Sequence, residues 1–387
     1  MSNDQSEVFN IPKWTSRATL DAIGHAGFDY NFGAMENQEN RLSKAYHNLY
    51  ADMFAAPTDG ALIIGTLFSY LPISPTRMAG LFEYLSKSDP RLARGREARE
   101  VAREVAKGLV EEKQGQGSGA GAKDVMSLLV KANMASKDER SRMSDEELYS
   151  QMLIIFLAGH ETTANSISWT LLELSRHPEI QEKLRNEIRE KERQLLLSEG
   201  RVGSECQFTA EDFESLPYLN AVVKESMRYH PVAIHSPRMA LVDDVIPLSK
   251  IIKLANGEEV KEIPVERGQK VVISIAGYNR SKDVWGEDAG VFRPERWLEN
   301  AESKKEKGGT RTSVGVYANL LTFSGGVHSC IGWRFALLEM QTFLVELIST
   351  FEFSLTPECD KIRREACRVM VPTIEGEVEK GGQCPLR

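Results

Sequence analysis

One long helical pattern constrains the fold of this chain more than any other feature. It begins at Ser144 and Glu147, whose S-x-x-E spacing is typical of a capping box at a helix N-terminus. The apolar pattern then continues to about Arg176, and His177 and Pro178 end it. Such a helix is far longer than the globular average of about 11–12 residues. We therefore expect it to cross the whole core of the protein.

The remaining sequence predicts further helices and a smaller β region. Strand-like alternation occupies the segment from 236 to 278, where Asn256 and Gly257 form a hairpin signal between two alternating runs. Helical spacing covers 15–25, 41–54, 89–112, 179–197, 219–230 and 331–350. The sequence therefore predicts a mainly α fold, with one large helical domain and a small β portion.

Composition and charge exclude several functional classes. The chain has 387 residues, enough to bury a large core, and a net charge of −8 with acidic and basic residues interspersed. This balance argues against a nucleic-acid partner, because such proteins present a basic face. The start, MSNDQSEVFNIPKW, lacks the pattern of a signal peptide, and apolar runs such as 152–159 are too short to span a bilayer.

The cysteines do not form a disulfide or zinc-binding pattern. They are few, odd in number and widely spaced, and no C-x-x-C pair occurs among them. A reducing compartment is therefore expected. The five are Cys206, Cys330, Cys359, Cys367 and Cys384.

Cys330 stands out because of the peptide around it, LTFSGGVHSCIGWRF. Gly326 and the glycine before it let the backbone turn tightly and approach a planar partner closely. The residues after Cys330 are helical in pattern, so the helix dipole and free N–H groups should lower the pKa of the thiol. Gly332 removes a side chain where something flat could press, and Phe323 adds an aromatic wall. This arrangement suits a soft metal centre held from one side, although a buried structural cysteine before a helix is the alternative.

A second peptide, FLAGHETTANS, lies inside the long helix. Ala158, Gly159 and Thr162 are expected on one face because three- and four-residue spacings align, and the two small residues leave a gap. Glu161 and Thr162 bring an acid and a hydroxyl to that gap, as proton delivery requires. The alternative is a packing notch in which the hydroxyl bonds back to the preceding turn.

The third and fourth peptides, KESMRYHP and FRPERW, carry charged residues that could meet. Glu225 and Arg228 are three residues apart on a helix and can pair. Arg296 follows a Pro-Glu turn and could join them in a buried triad. A surface salt bridge of little value is the alternative. A buried charge network is costly unless it is fully paired, so its presence would indicate that it holds the geometry next to a site.

Together, and in this order, the four peptides resemble those of the cytochrome P450 family of haem-thiolate monooxygenases. FSGGVHSCIG matches the F-x-x-G-x-R/H-x-C-x-G haem peptide, and AGHETT matches the A/G-G-x-D/E-T-T oxygen-groove helix. KESMR matches E-x-x-R, and FRPERW matches the P-E-R-F segment, with tryptophan in place of the last phenylalanine. The segment SRATLDAIGHAGFDYNFG looks fungal and microsomal. The resemblance implies the cytochrome P450 fold, a large helical domain with a small β-sheet region.

The resemblance also implies a cofactor and residue roles. The cofactor is haem b (iron protoporphyrin IX), with Cys330 as the axial iron ligand; a thiolate ligand favours cleavage of the O–O bond. Glu161 and Thr162 would relay protons. Other expected haem contacts are Phe323, Gly326, Gly332 and Ala158, with His328 and Arg238 at the propionates. The substrate-lining turn would comprise Ala233, Ile234 and His235, and the scaffold triad Glu225, Arg228 and Arg296.

The activity implied is monooxygenation. The enzyme would insert one atom of O2 into a small apolar substrate, with electrons from an NADPH-dependent P450 reductase. Longer relatives sit on the endoplasmic reticulum membrane, on its cytoplasmic side. This chain shows no anchor, so we expect a cytoplasmic protein, and contact with the membrane stays open.

The start of the chain departs from the family pattern. KWTSRATLDAIGHAGF resembles a helix that normally follows the anchor, the first strands of the sheet and several early helices. One of those helices carries a W-x-x-x-R motif, and the W-x-x-R spacing of Trp14 and Arg17 does not replace it. We therefore expect a single cytochrome P450-like domain over 1–387 that lacks the N-terminal strands and early helices. The alternative function is a non-catalytic remnant that binds haem weakly or not at all.

Overall fold

A long helix crosses the molecule, and shorter helices pack around it. The computed structural model describes residues 6–36, 41–46, 49, 63, 90–115, 124–136, 142–199, 207–299 and 314–387. Most of the second half of the helix expected over 41–54 lies outside these ranges. The helices are α1 (Ile11–Phe28), α2 (Arg41–Tyr46), α3 (Pro90–Gly115), α4 (Val125–Ala135), α5 (Asp145–Arg176), α6 (Pro178–Glu199), α7 (Ala210–Glu214), α8 (Pro217–Tyr229), α9 (Ile275–Asn279), α10 (Lys282–Trp285) and α11 (Trp333–Thr350).

The β structure within the described ranges consists of small antiparallel pairs. Gly257 has a φ of 88° in the hairpin turn expected at this dipeptide. The pairs are β1 (Phe9–Asn10) with β8 (Pro385–Leu386), β2 (His235–Met239) with β5 (Lys270–Ser274), β3 (Asp244–Lys253) with β4 (Glu259–Val265), and β6 (Ile362–Cys367) with β7 (Val369–Ile374). The prediction of a mainly α fold with a small β portion is confirmed.

Helix α5 begins and ends where its sequence signals predicted. The backbone N–H of Ser144 donates to the Glu147 carboxylate at 2.7 Å, and the N–H of Glu147 donates to the Ser144 hydroxyl at 3.3 Å. His177 caps the other end of this 32-residue helix. Every residue from Ile167 to Ser175 is buried. A helix enclosed on all sides in this way lies within the core.

The two halves of α5 belong to two hydrophobic clusters. Phe156, in the first half, packs among apolar residues of α1, α2, α3 and α4. Trp169, in the second half, packs among residues of α6, α8 and α11, the helix that follows Cys330. Helix α5 thereby connects the N-terminal helices to the helix behind the cysteine peptide. Among the helices of the described ranges, none combines the length and apolar character that crossing a bilayer requires.

Contact between α1 and α5 is unusually close at Gly159. A Cβ atom built on this glycine would lie 2.8 Å from Cγ1 of Ile23, inside any normal contact distance. Hydroxyl groups bridge the same two helices on either side, from Thr15 to Ser168 at 3.1 Å and from Thr19 to the His160 carbonyl at 3.1 Å. The absence of a side chain at Gly159 therefore sets the distance between the helices.

A buried carboxyl group lies between α11 and α5. Glu339 is 6% exposed, and neither carboxyl oxygen makes a well-formed hydrogen bond within the described residues. Burial raises the pKa of Glu339 to about 8, and the nearby Thr163 hydroxyl opposes this shift. Glu339 is therefore protonated in the folded protein at neutral pH.

The close α1–α5 contact predicts the effect of a single methyl group. We expect Gly159→Ala to lower the free energy of unfolding by about 1–3 kcal/mol, because overpacking forces Ile23 or the helices to move. The double variant with Gly159→Ala and Ile23→Ala should lose less unfolding free energy than the two single variants lose when their losses are added, because the smaller side chain makes room for the new methyl group. Urea denaturation measures both effects.

Gly108 is the matched control for this experiment. It is exposed within α3, and a Cβ there would meet nothing within 4 Å. Gly108→Ala should raise stability by up to about 1 kcal/mol, since alanine is the better helix former. An equal stabilisation at Gly159 would contradict the close packing described for α1 and α5.

The buried carboxyl predicts a pH-dependent difference between wild type and Glu339→Gln. The folded-state pKa of Glu339 lies above the unfolded value of 4.5, so the folded state binds the extra proton between these two values. Stability from this group is therefore lost as pH rises through that window, by up to about 1.4 kcal/mol for each pH unit. The free energy of unfolding should be measured at several pH values between about 4.5 and 8. As pH rises through this range, the stability of Glu339→Gln should increase relative to that of the wild type.

Glu346 provides the control because it is an exposed glutamate two turns further along the same helix. The gain in stability relative to the wild type as pH rises should be larger for Glu339→Gln than for Glu346→Gln. If the Glu339→Gln curve stayed parallel to that of the wild type, Glu339 would have to be ionised in the folded protein.

Candidate functional site

The cysteine peptide forms a tight turn directly before α11. The backbone N–H of Cys330 donates to the Phe323 carbonyl at 2.8 Å, which closes a loop over the short 3₁₀ segment Gly326–His328. Gly326 has a φ of 62°, a left-handed conformation that favours glycine. Helix α11 begins at Trp333 with Gly332 as its N-cap, two residues later than the sequence predicted. Cys330 therefore precedes the helix cap and is open to solvent on one side.

The electrostatic expectation for the Cys330 thiol was wrong. Burial of the thiol by the surrounding peptide raises its pKa, and the Gly332 N–H on the sulfur opposes the shift. The reason is position: with the cap at Gly332, the sulfur receives one backbone N–H rather than the full set at a helix N-terminus. The anion at this position needs a positive charge beside it, and a bound metal supplies one and deprotonates the thiol outright.

The surroundings of Cys330 fit a flat, apolar, iron-bearing group such as the haem expected from the sequence. A Cβ atom on Gly326 or Gly332 would meet nothing within 4 Å. The side chains of Val327 and Ile331 are 96% and 101% exposed, so apolar surface flanks the sulfur. No cluster of three or more metal-ligating side chains exists within the described ranges. In the described residues, the site therefore offers a metal one sulfur ligand, and the glycines beside it leave open space.

The two residues expected to pair with the propionates lie on different elements. His328 is exposed at the end of the 3₁₀ segment. Arg238 is half-buried on β2, where its guanidinium donates to the Ser236 hydroxyl at 2.7 Å and to the Pro237 carbonyl at 2.9 Å. Both groups can donate to a carboxylate, and Arg238 would exchange its present partners to do so.

The turn expected to line the substrate site is anchored at one residue. Ile234 is half-buried against the main core, and its carbonyl accepts the N–H of Ala276 at 3.1 Å. Ala233 and His235, on either side of it, are exposed. Their side chains are therefore available to a ligand.

Structure and sequence disagree about the face that Gly159 shares with Ala158 and Thr162. The Thr162 hydroxyl donates to the Ala158 carbonyl at 2.7 Å, and Ala158 is exposed, so these two residues share an open face. Gly159 faces Ile23 of α1 instead. Consecutive residues differ by about 100° around a helix, and here α1 covers the side that Gly159 presents. The back-bond weighed as an alternative for Thr162 is present.

Glu161 does not lie beside Thr162 in the gap. It is 7% exposed, and its carboxylate accepts hydrogen bonds from Ser16 of α1 at 3.1 Å and from Asn165 at 3.4 Å. The acid and the hydroxyl therefore point to different sides of α5, the acid toward α1 and the hydroxyl toward the open face.

The structure brings Glu225, Arg228 and Arg296 together in a buried ion cluster. Arg228 donates two hydrogen bonds to the Glu225 carboxylate, at 2.8 and 2.9 Å, and Arg296 donates one at 3.0 Å. Their side chains are at most 6% exposed. The surface salt bridge considered as an alternative is therefore wrong for these residues.

Further donors complete the cluster. The Trp297 indole N–H donates to Glu225 at 3.0 Å and the backbone N–H of Arg293 donates at 2.7 Å, so the carboxylate accepts five hydrogen bonds. Phenylalanine, the family residue at the position of Trp297, has no donor for this bond. The sequence analysis noted the substitution without assigning it a role.

Asn279 links the ion cluster to the cysteine peptide, and the sequence analysis missed it. Its side-chain amide donates to the Thr322 hydroxyl at 2.9 Å and accepts the N–H of Leu321 at 3.1 Å. The Thr322 hydroxyl in turn donates to the carbonyl of Met227, next to Arg228, at 2.9 Å. A lone buried asparagine at the end of a short helix has no pattern that would have revealed this role.

Comparison with known families and proteins identifies the family of this chain. The family model described as Cytochrome P450 matches residues 1–379. The chain is 35% identical to cytochrome P450 monooxygenase 205 of Postia placenta, over 96% of this chain and 65% of that protein. It is 34% identical to cytochrome P450 monooxygenase claQ of Ampulloclitocybe clavipes, over 100% of this chain and 67% of that protein. The chain thus spans about two thirds of the length of these curated relatives.

A solved structure shares the fold. The crystal structure of a cytochrome P450 (CYP102L1) superposes with a TM-score of 0.69 at 20% identity, covering 99% of this chain and 72% of that one. Identity this low shows the fold alone. Together with the family model and the fungal relatives, it leads to one conclusion: the chain belongs to the cytochrome P450 family.

Proposed function

We propose that this chain is a haem-thiolate monooxygenase that inserts one atom of O2 into a small apolar substrate. The observation that carries the proposal is Cys330, a lone sulfur beside the open backbone of Gly326 and Gly332. Haem b, when bound there, would supply the binding and activation of O2. Electrons would come from an NADPH-dependent reductase, and the enzyme would work at the cytoplasmic side of the endoplasmic reticulum membrane, as the resemblance implies.

The residues around Cys330 would hold the group from one side. Cys330 would be the thiolate ligand, with the Gly332 N–H on its sulfur moderating the charge that the thiolate donates. The Phe323 side chain would pack against the edge of the haem. Its position next to the ligand is set by its carbonyl, which accepts the N–H of Cys330. His328 and Arg238 would pair with the two propionates. The cluster of Glu225, Arg228 and Arg296 would keep this peptide in place.

Residues of α5 would act on the side of the haem that faces away from Cys330. Ala158 leaves room on the open face of the helix, and the Thr162 hydroxyl there would hold a proton where oxygen reacts. Glu161 would supply protons from the α1 side. Ala233, Ile234 and His235 would line the space for the apolar substrate.

A non-catalytic remnant is the second candidate. The observation in its favour is that the apolar side chains of Val327 and Ile331, next to the cysteine, are 96% and 101% exposed in the fold. Such a protein would fold without holding haem.

Replacing the ligand tests the proposal directly. We expect the 387-residue protein, expressed with added haem, to show in its ferrous carbon monoxide complex the strongly red-shifted absorption of thiolate-ligated iron. Cys330→Ser should abolish this band, because an alcohol does not replace the thiolate. The absorption spectrum of each purified protein is the measurement.

Cys359→Ser is the control variant. Cys359 is buried and donates to the Pro385 carbonyl at 3.2 Å, a bond that serine can also make. This variant should keep the wild-type spectrum. Well-folded wild-type protein that takes up no haem would favour the remnant, and a red-shifted band that persists in Cys330→Ser would refute the assigned ligand.

Replacing Thr162 with alanine tests proton delivery. The variant should consume NADPH at a similar rate but release several-fold more of the electrons as hydrogen peroxide, because the hydroxyl that holds the proton is gone. Peroxide and product yields per NADPH measure this coupling. Thr342→Ala is the control, since Thr342 makes the same type of back-bond, 2.9 Å to the Leu338 carbonyl, on the exposed side of α11. If Thr162→Ala gave the same product and peroxide yields per NADPH as the wild type, Thr162 would not relay protons.

A further inference from the structure

Two arginines that the proposed function does not use lie against the ring of Tyr229, the last residue of α8. The guanidinium carbon of Arg280, directly after α9, is 5.1 Å from the centre of this ring, and that of Arg364, on β6, is 5.2 Å away. Both distances are typical of cation–π contacts. Tyr229 and Arg280 are half-buried and Arg364 is exposed, so solvent and small solutes reach this arginine pair.

Uncharged acceptors hold both members of the arginine pair in place. Nε of Arg280 donates to the Tyr229 carbonyl at 2.9 Å, and its Nη2 donates to the same oxygen. Nε of Arg364 donates to Nδ1 of His230 at 3.2 Å. Within the described residues, Nη1 of Arg280 and both Nη groups of Arg364 make no hydrogen bond to the protein. The bonds that position the two guanidinium groups therefore leave further donors for a ligand.

The histidine behind Arg364 is neutral, and the carboxylate that it contacts is already paired. Nδ1 of His230 accepts from Arg364, so the ring hydrogen is on Nε2, which donates to Oε1 of Glu173 at 2.8 Å. Burial lowers the pKa of His230 to about 4, so the ring carries no charge near neutral pH. The Glu173 carboxylate also accepts from Arg176 at 2.9 Å. Glu173 therefore has a cation of its own.

The arginine pair carries positive charge that no carboxylate contacts directly. Neither guanidinium group forms an ion pair in the part of the chain that the structure describes. Burial and then the nearby charge of Arg364 lower the pKa of Arg280 to about 10, so the two like charges repel each other. Arg228, whose own partner is Glu225, adds to this repulsion. Half-buried like charges are costly until an opposite charge joins them.

We propose that Arg280 and Arg364, beside the ring of Tyr229, form a binding site for a doubly charged oxyanion of the phosphate type. Two guanidinium groups match the two charges of a phosphate, and the planar fork of arginine suits its oxygens. The unused N–H groups would donate to the anion, while the Nε bonds to the Tyr229 carbonyl and to His230 stay in place. The bound anion would tie the end of α8 to β6 and to the residue after α9, with or without haem in the protein.

Calorimetric titration of the 387-residue protein with inorganic phosphate tests the site. At constant ionic strength and about pH 8, where phosphate groups are largely dianionic, phosphate should bind in a one-to-one ratio. Acetate, with a single charge, should bind about tenfold more weakly or less tightly still. Titration with glycerol phosphate separates two sources of the anion. Tighter binding than phosphate indicates an organic phosphate, and equal binding indicates that the free ion is sufficient.

Neighbouring arginines of β6 separate this site from the general charge of the surface. Arg364→Gln should weaken phosphate binding about tenfold or more, and Arg364→Lys should weaken it less, because lysine keeps the charge without the fork. Arg363→Gln is the matched control. It removes the same charge one position away, but the Arg363 guanidinium pairs with Glu375, and adjacent strand residues face opposite sides. This variant should bind phosphate as the wild type does, and urea unfolding without phosphate verifies that each variant folds.

Chemical modification of arginine locates the anion in the wild-type protein. Phenylglyoxal reacts with accessible guanidinium groups, and phosphate should slow its reaction several-fold at Arg364 but not at Arg363, as peptide mass analysis measures. The site would be overturned by folded protein that binds no phosphate, by binding as tight in Arg364→Gln as in the wild type, or by an equal loss in Arg363→Gln. Acetate binding as tight as that of phosphate would overturn the preference for two charges. These results leave the proposed monooxygenase function intact, because the measurements do not involve haem.

Discussion

The packing of α5 between two other helices is the constraint on which the rest of the molecule depends. Helix α1 approaches so closely that only glycine fits at position 159, and α11 packs against α5 with its own Glu339 buried between the two helices. Cores packed to native density transmit such positions from helix to helix. The open face with Ala158 and Thr162 and the helix behind Cys330 are therefore held in one fixed relation.

Buried charge helps to hold the cysteine peptide, beside the apolar packing of Leu320 and Phe323 in the core. Glu225 accepts five hydrogen bonds, and Arg228 also donates to the carbonyls of Asn279 and Ala289. Breaking a network like this leaves an uncompensated buried charge, so it tolerates few geometries. Through Asn279 and Thr322 that rigidity reaches the turn that carries Cys330. The same turn holds its thiol with a raised pKa, so a metal cation would complete its electrostatics.

Polar groups are concentrated where α1 meets α5. Thr15, Ser16 and Thr19 each reach a partner on α5, and the carboxylate and imidazole of adjacent residues meet there as well. Helix α1 is therefore more than an apolar cover for the central helix. Its hydroxyls set the orientation of an acidic side chain that the motif alone would have assigned to the open face.

The sequence by itself determined the central helix, its capping box, the mainly α fold and the family, because these follow from local spacing and from side-chain types along one stretch of chain. It also identified the lone cysteine and the residues of the ion cluster, since opposite charges in a buried network must meet. Only the tertiary structure decided which way Gly159 and Glu161 face, that Asn279 joins two distant peptides, and that the thiol pKa is raised. Helical periodicity defines which residues share a face, but burial and partners depend on the element that packs against that face.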